Sequence, residues 1–412
     1  MSLNILDHLG LAYQPIWGAQ RQLVAVRLRV RALHTESVDA AHLLQLLSAE
    51  RQPHTPPLLV SFLDRPLLLQ ALSMSPQEGI WLELPDEGEF ATDEMRQHVL
   101  FAQRMGHQLV PCGPLARVVQ GTAAAGQSLP MHLLDLWPED VALALRSVTE
   151  RGQPASAPQA RSPVLAGHIY QNIGSSLLAA HCLDDRRAWG ICEWPVDDVL
   201  HHHRHQPIAC DRNVVLHVLR AFEQDLPMDE VENRIYLDPV LTYRMLRMVN
   251  SVAFGTSREV DSVRHALMLL GHSNMRQWLN EQLLAASLEP ALRPVRHAMV
   301  LRAQLMDYLM DAGPEHDLRA EIHLTGLFSR IDGLLQEPLA DALARIPLSG
   351  RITDALLNHN GPYMSYLDVA RHMEDPHAMG DLPLVCHTHE FRVDDVNRAL
   401  IRMLCQVRHN PV

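Results

Sequence analysis

The stretch from Leu226 to Leu284 leaves the chain little freedom. It has to form amphipathic helices joined by a short break. Leu241, Met245, Met248, Val249 and Val252 recur at i, i+4, i+7, i+8 and i+11, which is one face of a helix. Asp238 before Pro239 reads as an N-cap followed by N1. Asn250 and Ser251 can bond freed backbone groups at the helix end, Phe254 can bury beneath the break, and Gly255 can supply a positive φ. Ser262 reads as the cap of a second helix. Val263, Ala266, Leu267 and Leu270 form its apolar face, and Gly271 stands at the C′ position.

Leu226-Pro227, the run Asp238 to Gly255 and the run Ser262 to Gly271 together resemble the signature of the HDOD family. The residues that carry the resemblance are Asp238, Pro239, Leu241, Thr242, Arg244, Asn250, Ser251, Phe254, Gly255 and Gly271. Each is read as a packing or capping residue. The resemblance implies an all-α domain related to the HD phosphohydrolases. Those enzymes hold metal through a His-Asp pair, and Ser329 and Arg330 stand at the matching positions here. His297 is the candidate for their first histidine. With the pair lost, the resemblance implies no bimetallic site.

Composition narrows the rest. All 35 basic residues of the 412 are arginine. The absence of lysine excludes a P-loop lysine, a Schiff-base lysine and any lysine general base. A net charge of −13 argues against a dedicated nucleic-acid binder. The N-terminus lacks the pattern of a signal peptide, and no apolar run reaches the ~18 residues of a membrane span. The six cysteines are scattered, as expected of reduced thiols in a cytoplasmic protein.

In the N-terminal half, Leu23 to Val30 reads as a buried strand. Tyr13-Gln14-Pro15-Ile16 followed by this strand resembles the opening of EAL domains, the TIM-barrel phosphodiesterases of cyclic di-GMP. Their V-E-A-L-x-R falls on Val26 to Arg31, so Arg27 replaces the metal-binding glutamate and Arg29 replaces a leucine. Trp81 to Pro85, Gly106 to Val110, Leu133 to Leu136 and His181 to Asp198 resemble later landmarks of that barrel. Its D-D-F-G motif is missing. Arg27, Arg29 and Arg31 alternate with Leu28 and Val30 and share one face of the strand. They are the candidate ligand-binding residues if that face lines the barrel. An exposed face of an edge strand is the alternative. About 205 residues are few for a (β/α)₈ barrel of ~250, so one or more elements are expected to be lost or shrunken. Residues 151–163 read as an exposed loop.

Two histidine-rich runs carry metal-ligand residue types: His201-His202-His203-Arg204-His205, and Cys386-His387-x-His389. Neighbours on a helix do not share a face, so neither run is expected to converge on one ion. Together these features describe a multidomain α/β plus all-α chain. A degenerate, truncated TIM-type EAL-like barrel, 1–205, precedes an HD-related helical HDOD domain, 206–412. The expected function is a non-catalytic regulator of signal transduction working through protein contacts. It would need no cofactor and bind no metal. Other signalling proteins and a second copy of the chain are the expected partners, with no nucleic acid and no membrane. The alternative is a non-hydrolysing receptor for cyclic di-GMP or another nucleotide.

Overall fold

The computed structural model describes residues 5–34, 39–86, 92–116, 118, 130–150, 161–251, 260–310 and 316–407. It divides into two compact units. One comprises residues 1–198 together with 372–411; the other is 199–371. The second unit is thus an insertion in the sequence of the first, whereas the sequence suggested a single boundary near 205. No helix among the described residues is long and apolar enough to cross a membrane.

The first unit is a closed eight-stranded barrel, β1 Leu9–Trp17, β2 Leu23–Ala32, β3 Leu58–Phe62, β4 Ile80–Leu84, β5 Gln108–Pro114, β6 Leu133–Asp135, β7 Ile169–Gln171 and β8 Gly190–Cys192. All eight strands are present, and the shortening the sequence suggested takes the form of shrunken strands rather than lost ones. The barrel fits in a short chain because β6, β7 and β8 have three residues each. β1 runs antiparallel to β2 and β8, and the other neighbouring pairs are parallel. Side chains alternate between the barrel interior and the surrounding helices. Ile16, Ala25, Leu59, Val110, Leu133, Ile169 and Cys192 form one buried interior layer, with Trp81 of β4 packed against it. Burying each large aliphatic side chain of this layer contributes roughly 1.5–3 kcal/mol.

β1 and β2 are joined by a hairpin, so no crossover helix covers the outside of β1. The C-terminal segment does so instead. Helix Val393–Gln406 packs on β1, on helix Ala40–Glu50 and on the 3₁₀ turn Ile5–His8. Asn397, fully buried, donates from Nδ2 to the Leu6 and Leu9 carbonyls at 2.8 and 2.7 Å. Thr55 donates from Oγ1 to the Cys405 carbonyl at 2.7 Å. A side chain at Gly10 would meet the Met379 carbonyl at 2.7 Å, so the close approach there requires glycine.

The second unit is helical. Among its described residues the one β-type contact is an isolated bridge between Asp211 and Ser287. Helix Pro239–Val249 buries Leu241, Met245 and Val249 as the periodicity required. The span Val263–Ala285 is two helices that meet at Gly271, whose φ of +64° and ψ of 170° are non-helical, so the glycine ends the first helix at the C′ position the pattern gave it. Helix Leu292–Leu309 buries Val295, Met299, Ala303 and Met306 on one stripe. Two helices follow, His316–Phe328 and Ile331–Leu335, separated because Arg330 leaves helical geometry.

Candidate functional site

In the second unit the signature residues build a capping hub. Asp238, fully buried, accepts from the backbone N–H of Val240 at 2.8 Å and Leu241 at 3.3 Å, and from the N–H of Asp211. Pro239 follows at the first helical turn. Arg296 ties the hub together, with Nη1 3.3 Å from Asp211 and Nε 3.8 Å from Asp238. Thr242 donates to the Ile235 carbonyl at 3.0 Å, and Arg244 donates to Gln282 at 3.2 Å. Asn250 closes the break after the helix. Its Nδ2 donates to the Leu246 and Val260 carbonyls, both at 2.7 Å, and its Oδ1 accepts from Val260 N–H at 2.9 Å. Its own backbone is not left-handed, at φ −91°. Ser251 donates to the Met248 carbonyl at 2.7 Å. Phe254 and Gly255 lie outside the described residues.

At the HD-like position, Ser329 donates to the Gly326 carbonyl at 2.7 Å and accepts from Arg302 at 2.8 Å. Arg330 is exposed. Burial pushes the pKa of His297 down to about 4, so its imidazole is neutral near pH 7. The two histidine runs do not assemble ligands. His201 and His205 both contact Arg204, and Cys386 is buried while His387 is exposed. No group of three His, Cys, Asp or Glu among the described residues has the geometry to hold a metal ion.

The barrel interior holds the other candidate residues. Arg27, Arg29 and Arg31 do point inward, as the pairing of Arg27 with Gln14 and of Arg29 with Ala12 and Ser61 requires. β2 is a fully paired strand, and the edge-strand alternative is excluded. The three arginines climb from the apolar layer at Ala25 toward the end where the parallel strands finish. Their exposure climbs with them: Arg27 is buried, Arg29 half-buried and Arg31 exposed.

Arg27 is the centre of a side-chain network drawn from five strands, β1, β2, β4, β6 and β7. Its Nε and Nη2 meet the two oxygens of Glu83 at 2.7 and 2.6 Å, a bidentate pair. Its Nη1 donates to Gln14 at 3.2 Å and to Gln171 at 2.9 Å. Gln171 in turn donates to Asp135 at 2.7 Å, as does Asn172 at 2.9 Å, and Gln14 donates to Glu193. Burial works against the Arg27 charge, but the adjacent Glu83 carboxylate outweighs it, and the pKa rises above the ordinary arginine value. Burial, with Glu83 second, pushes the Cys112 thiol up to about 12, and burial does the same to Cys192. Neither thiol is a thiolate near pH 7. Glu83, Gln14, Gln171, Asp135 and Glu193 were not candidates from sequence, because the first four lie on other strands and Glu193 follows β8.

This geometry limits the chemistry. A two-metal hydrolytic centre needs carboxylates converging on cations, with one free to take a proton from water. Here the barrel centre is occupied by a permanent cation that uses both oxygens of Glu83.

Comparison with known proteins agrees with the helical unit. Residues 210–306 match the family model of the HDOD domain. The chain is 27% identical over 161 residues to the uncharacterized protein YuxH of Bacillus subtilis, covering 38% of this chain and 39% of YuxH. It is 28% identical over 173 residues to the cyclic di-GMP phosphodiesterase CdgJ of Vibrio cholerae, covering 42% of this chain and 39% of CdgJ. The matches thus span about two fifths of the length of these curated relatives. Among solved structures, a response regulator MmoQ from Methylococcus capsulatus aligns with a TM-score of 0.36 at 19% identity, over 48% of this chain and 98% of that one. Residues 210–306 therefore form an HDOD domain.

Proposed function

We propose that this chain is a cytoplasmic regulator of signal transduction that works through protein contacts and hydrolyses no phosphodiester. On this reading the barrel is a degenerate TIM-type, EAL-like domain. One observation carries the proposal: the Arg27–Glu83 pair fills the barrel centre with a cation where a diesterase needs metal. The neutral His297 and the Ser329–Arg330 pair extend the same reasoning to the HDOD domain. The resemblance to CdgJ supports a place in cyclic di-GMP signalling. A test is incubation of the full chain with cyclic di-GMP and Mg²⁺ or Mn²⁺, with products resolved by chromatography. No product above buffer is expected. Turnover that persists through re-purification and scales with protein would sink the proposal.

The similarity to a protein named for cyclic di-GMP also favours a second reading, in which the barrel retains that nucleotide without cleaving it. Calorimetry of the full chain with cyclic di-GMP tests it, and an absence of saturable heat would exclude it.

A further inference from the structure

The two inward arginines of β2 are in opposite situations. Arg27 has an acceptor for each of its three nitrogens. Arg29, one rung nearer the mouth, has none. No hydrogen bond or ion pair joins its guanidinium to any described residue, and its Nε is buried without a partner. The residue beside it on β1 is Ala12, whose methyl accepts nothing, and Ser61 pairs with it on β3. Glu83, the nearby carboxylate that attracts both arginines, directs both its oxygens to Arg27 and makes no hydrogen bond to Arg29. Burial first, and the charge of Arg27 second, press the Arg29 pKa below its ordinary value. A half-buried cation without an acceptor is unfavourable in the free protein. It becomes favourable when an anion arrives.

We propose that Arg29 anchors the phosphate group of a small molecule inside the C-terminal mouth of the barrel, without a metal ion. The mouth where parallel strands end is where ligands of such barrels bind. Phosphate is favoured over carboxylate by Arg31. Its Cα is about 6.6 Å further along the same face, from about 3.3 Å per residue. The fork of Arg29 engages two oxygens, and a tetrahedral phosphate presents further oxygens and more charge to Arg31, whereas a carboxylate offers it only the outer lone pairs of the same two oxygens. Asp135 across the barrel opposes an anion, but Gln171 and Asn172 already donate to it. The EAL pattern carries leucine at position 29, so this anchor is a feature of the present chain. The proposal is independent of the regulator reading, and it supplies the receptor reading with its binding residue.

The test is calorimetry and thermal melting of the full chain in excess chelator. The probes are inorganic phosphate, a guanosine monophosphate and cyclic di-GMP. At least one probe is expected to bind saturably without metal and to raise the melting temperature. Arg29→Leu is expected to weaken that binding about 10- to 100-fold, the worth of a charge-assisted bond. Without ligand the same variant should melt no lower than the natural chain, since it removes a half-buried charge that makes no hydrogen bond to the described residues. Arg31→Leu should weaken binding less. Binding of phosphate or the monophosphate alone would exclude the cyclic di-GMP reading and leave the anchor standing. The proposal fails if no probe binds, if binding survives Arg29→Leu unchanged, or if Arg29→Leu unfolds the barrel.

Discussion

Arg27 in the barrel and Arg296 in the helical unit are both buried arginines held by carboxylates, and they are held by different means. Arg27 meets only side chains, from β1, β4 and β7. The carboxylates around Arg296 are instead engaged by the backbone. Asp238 accepts from three N–H groups, and Asp211 accepts from Asn213 N–H at 2.8 Å at the start of helix Arg212–Glu223. The barrel network can therefore be replaced without touching any secondary structure. The hub cannot, because the same carboxylates start two helices. A buried ion pair of the first kind is free to be exchanged for apolar residues or for a different site.

That contrast explains what could be read from the sequence. Asp238-Pro239 and Asn250-Ser251 carry their meaning within a few residues, and the caps appear where the pattern puts them. The alternation of Arg27, Arg29 and Arg31 was equally legible, but not which way it faced. Glu83 is 56 residues from Arg27 and Gln171 is 144 away, so the partners emerge only when the barrel closes. Leu133 to Leu136 and His181 to Asp198 marked β6 and the region of β8 by resemblance, but β7 was missed because three residues are too few to display alternation. The return of helix Val393–Gln406 to β1 left no sequence signal. Its apolar stripe looks the same whichever unit it covers.

The largest effect expected is on the barrel alone. Deleting residues 372–412 strips the cover from β1 and removes the acceptor-satisfying Asn397, while 199–371 keeps its own core. The truncated chain should lose cooperative barrel unfolding and bind a hydrophobic dye, with helical circular dichroism retained by the second unit. A truncation that melts like the full chain would show that the C-terminal helix is dispensable.

Next come the two arginine sites. Arg27→Leu strands Glu83, and Asp238→Ala strands three N–H groups while Arg296 keeps Asp211. Each should destabilise its unit by about 3–5 kcal/mol in denaturant titrations. The comparison is sharpened by the double replacements. Arg27→Leu with Glu83→Leu should recover most of the loss. Asp238→Ala with Arg296→Leu should not, because the backbone donors stay unpaired. Equal recovery at both sites would erase the distinction. Asn250→Ala is expected to cost less, about 1–3 kcal/mol, from the stranded Val260 N–H and the Leu246 and Val260 carbonyls. Asn250→Asp keeps an acceptor for Val260 N–H but sets a carboxylate oxygen against the Leu246 and Val260 carbonyls, so it should cost at least as much as Asn250→Ala.

The smallest effect distinguishes the units by pH. His297 has a folded pKa near 4, because burial disfavours its charged form, against about 6.5 in an unfolded chain. Between those values the unfolded state binds the proton and the folded state does not. The fold therefore has its full stability above about pH 6.5 and loses it progressively as the pH falls toward 4. Between pH 8 and pH 6 few carboxylates titrate, so the histidines dominate. Over that interval His297 should account for at most about 0.8 kcal/mol of lost stability. His168 in the barrel, also lowered to about 4 by burial and then by His132, acts in the same direction on its own unit. Replacing His297 with glutamine should flatten the pH dependence of the helical unit and leave that of the barrel intact, read by denaturant titrations of the full chain at pH 8 and pH 6. A variant that loses as much stability as the natural chain over this interval would place the titrating group elsewhere. One that gains sensitivity would reverse the sign argued for a buried neutral imidazole.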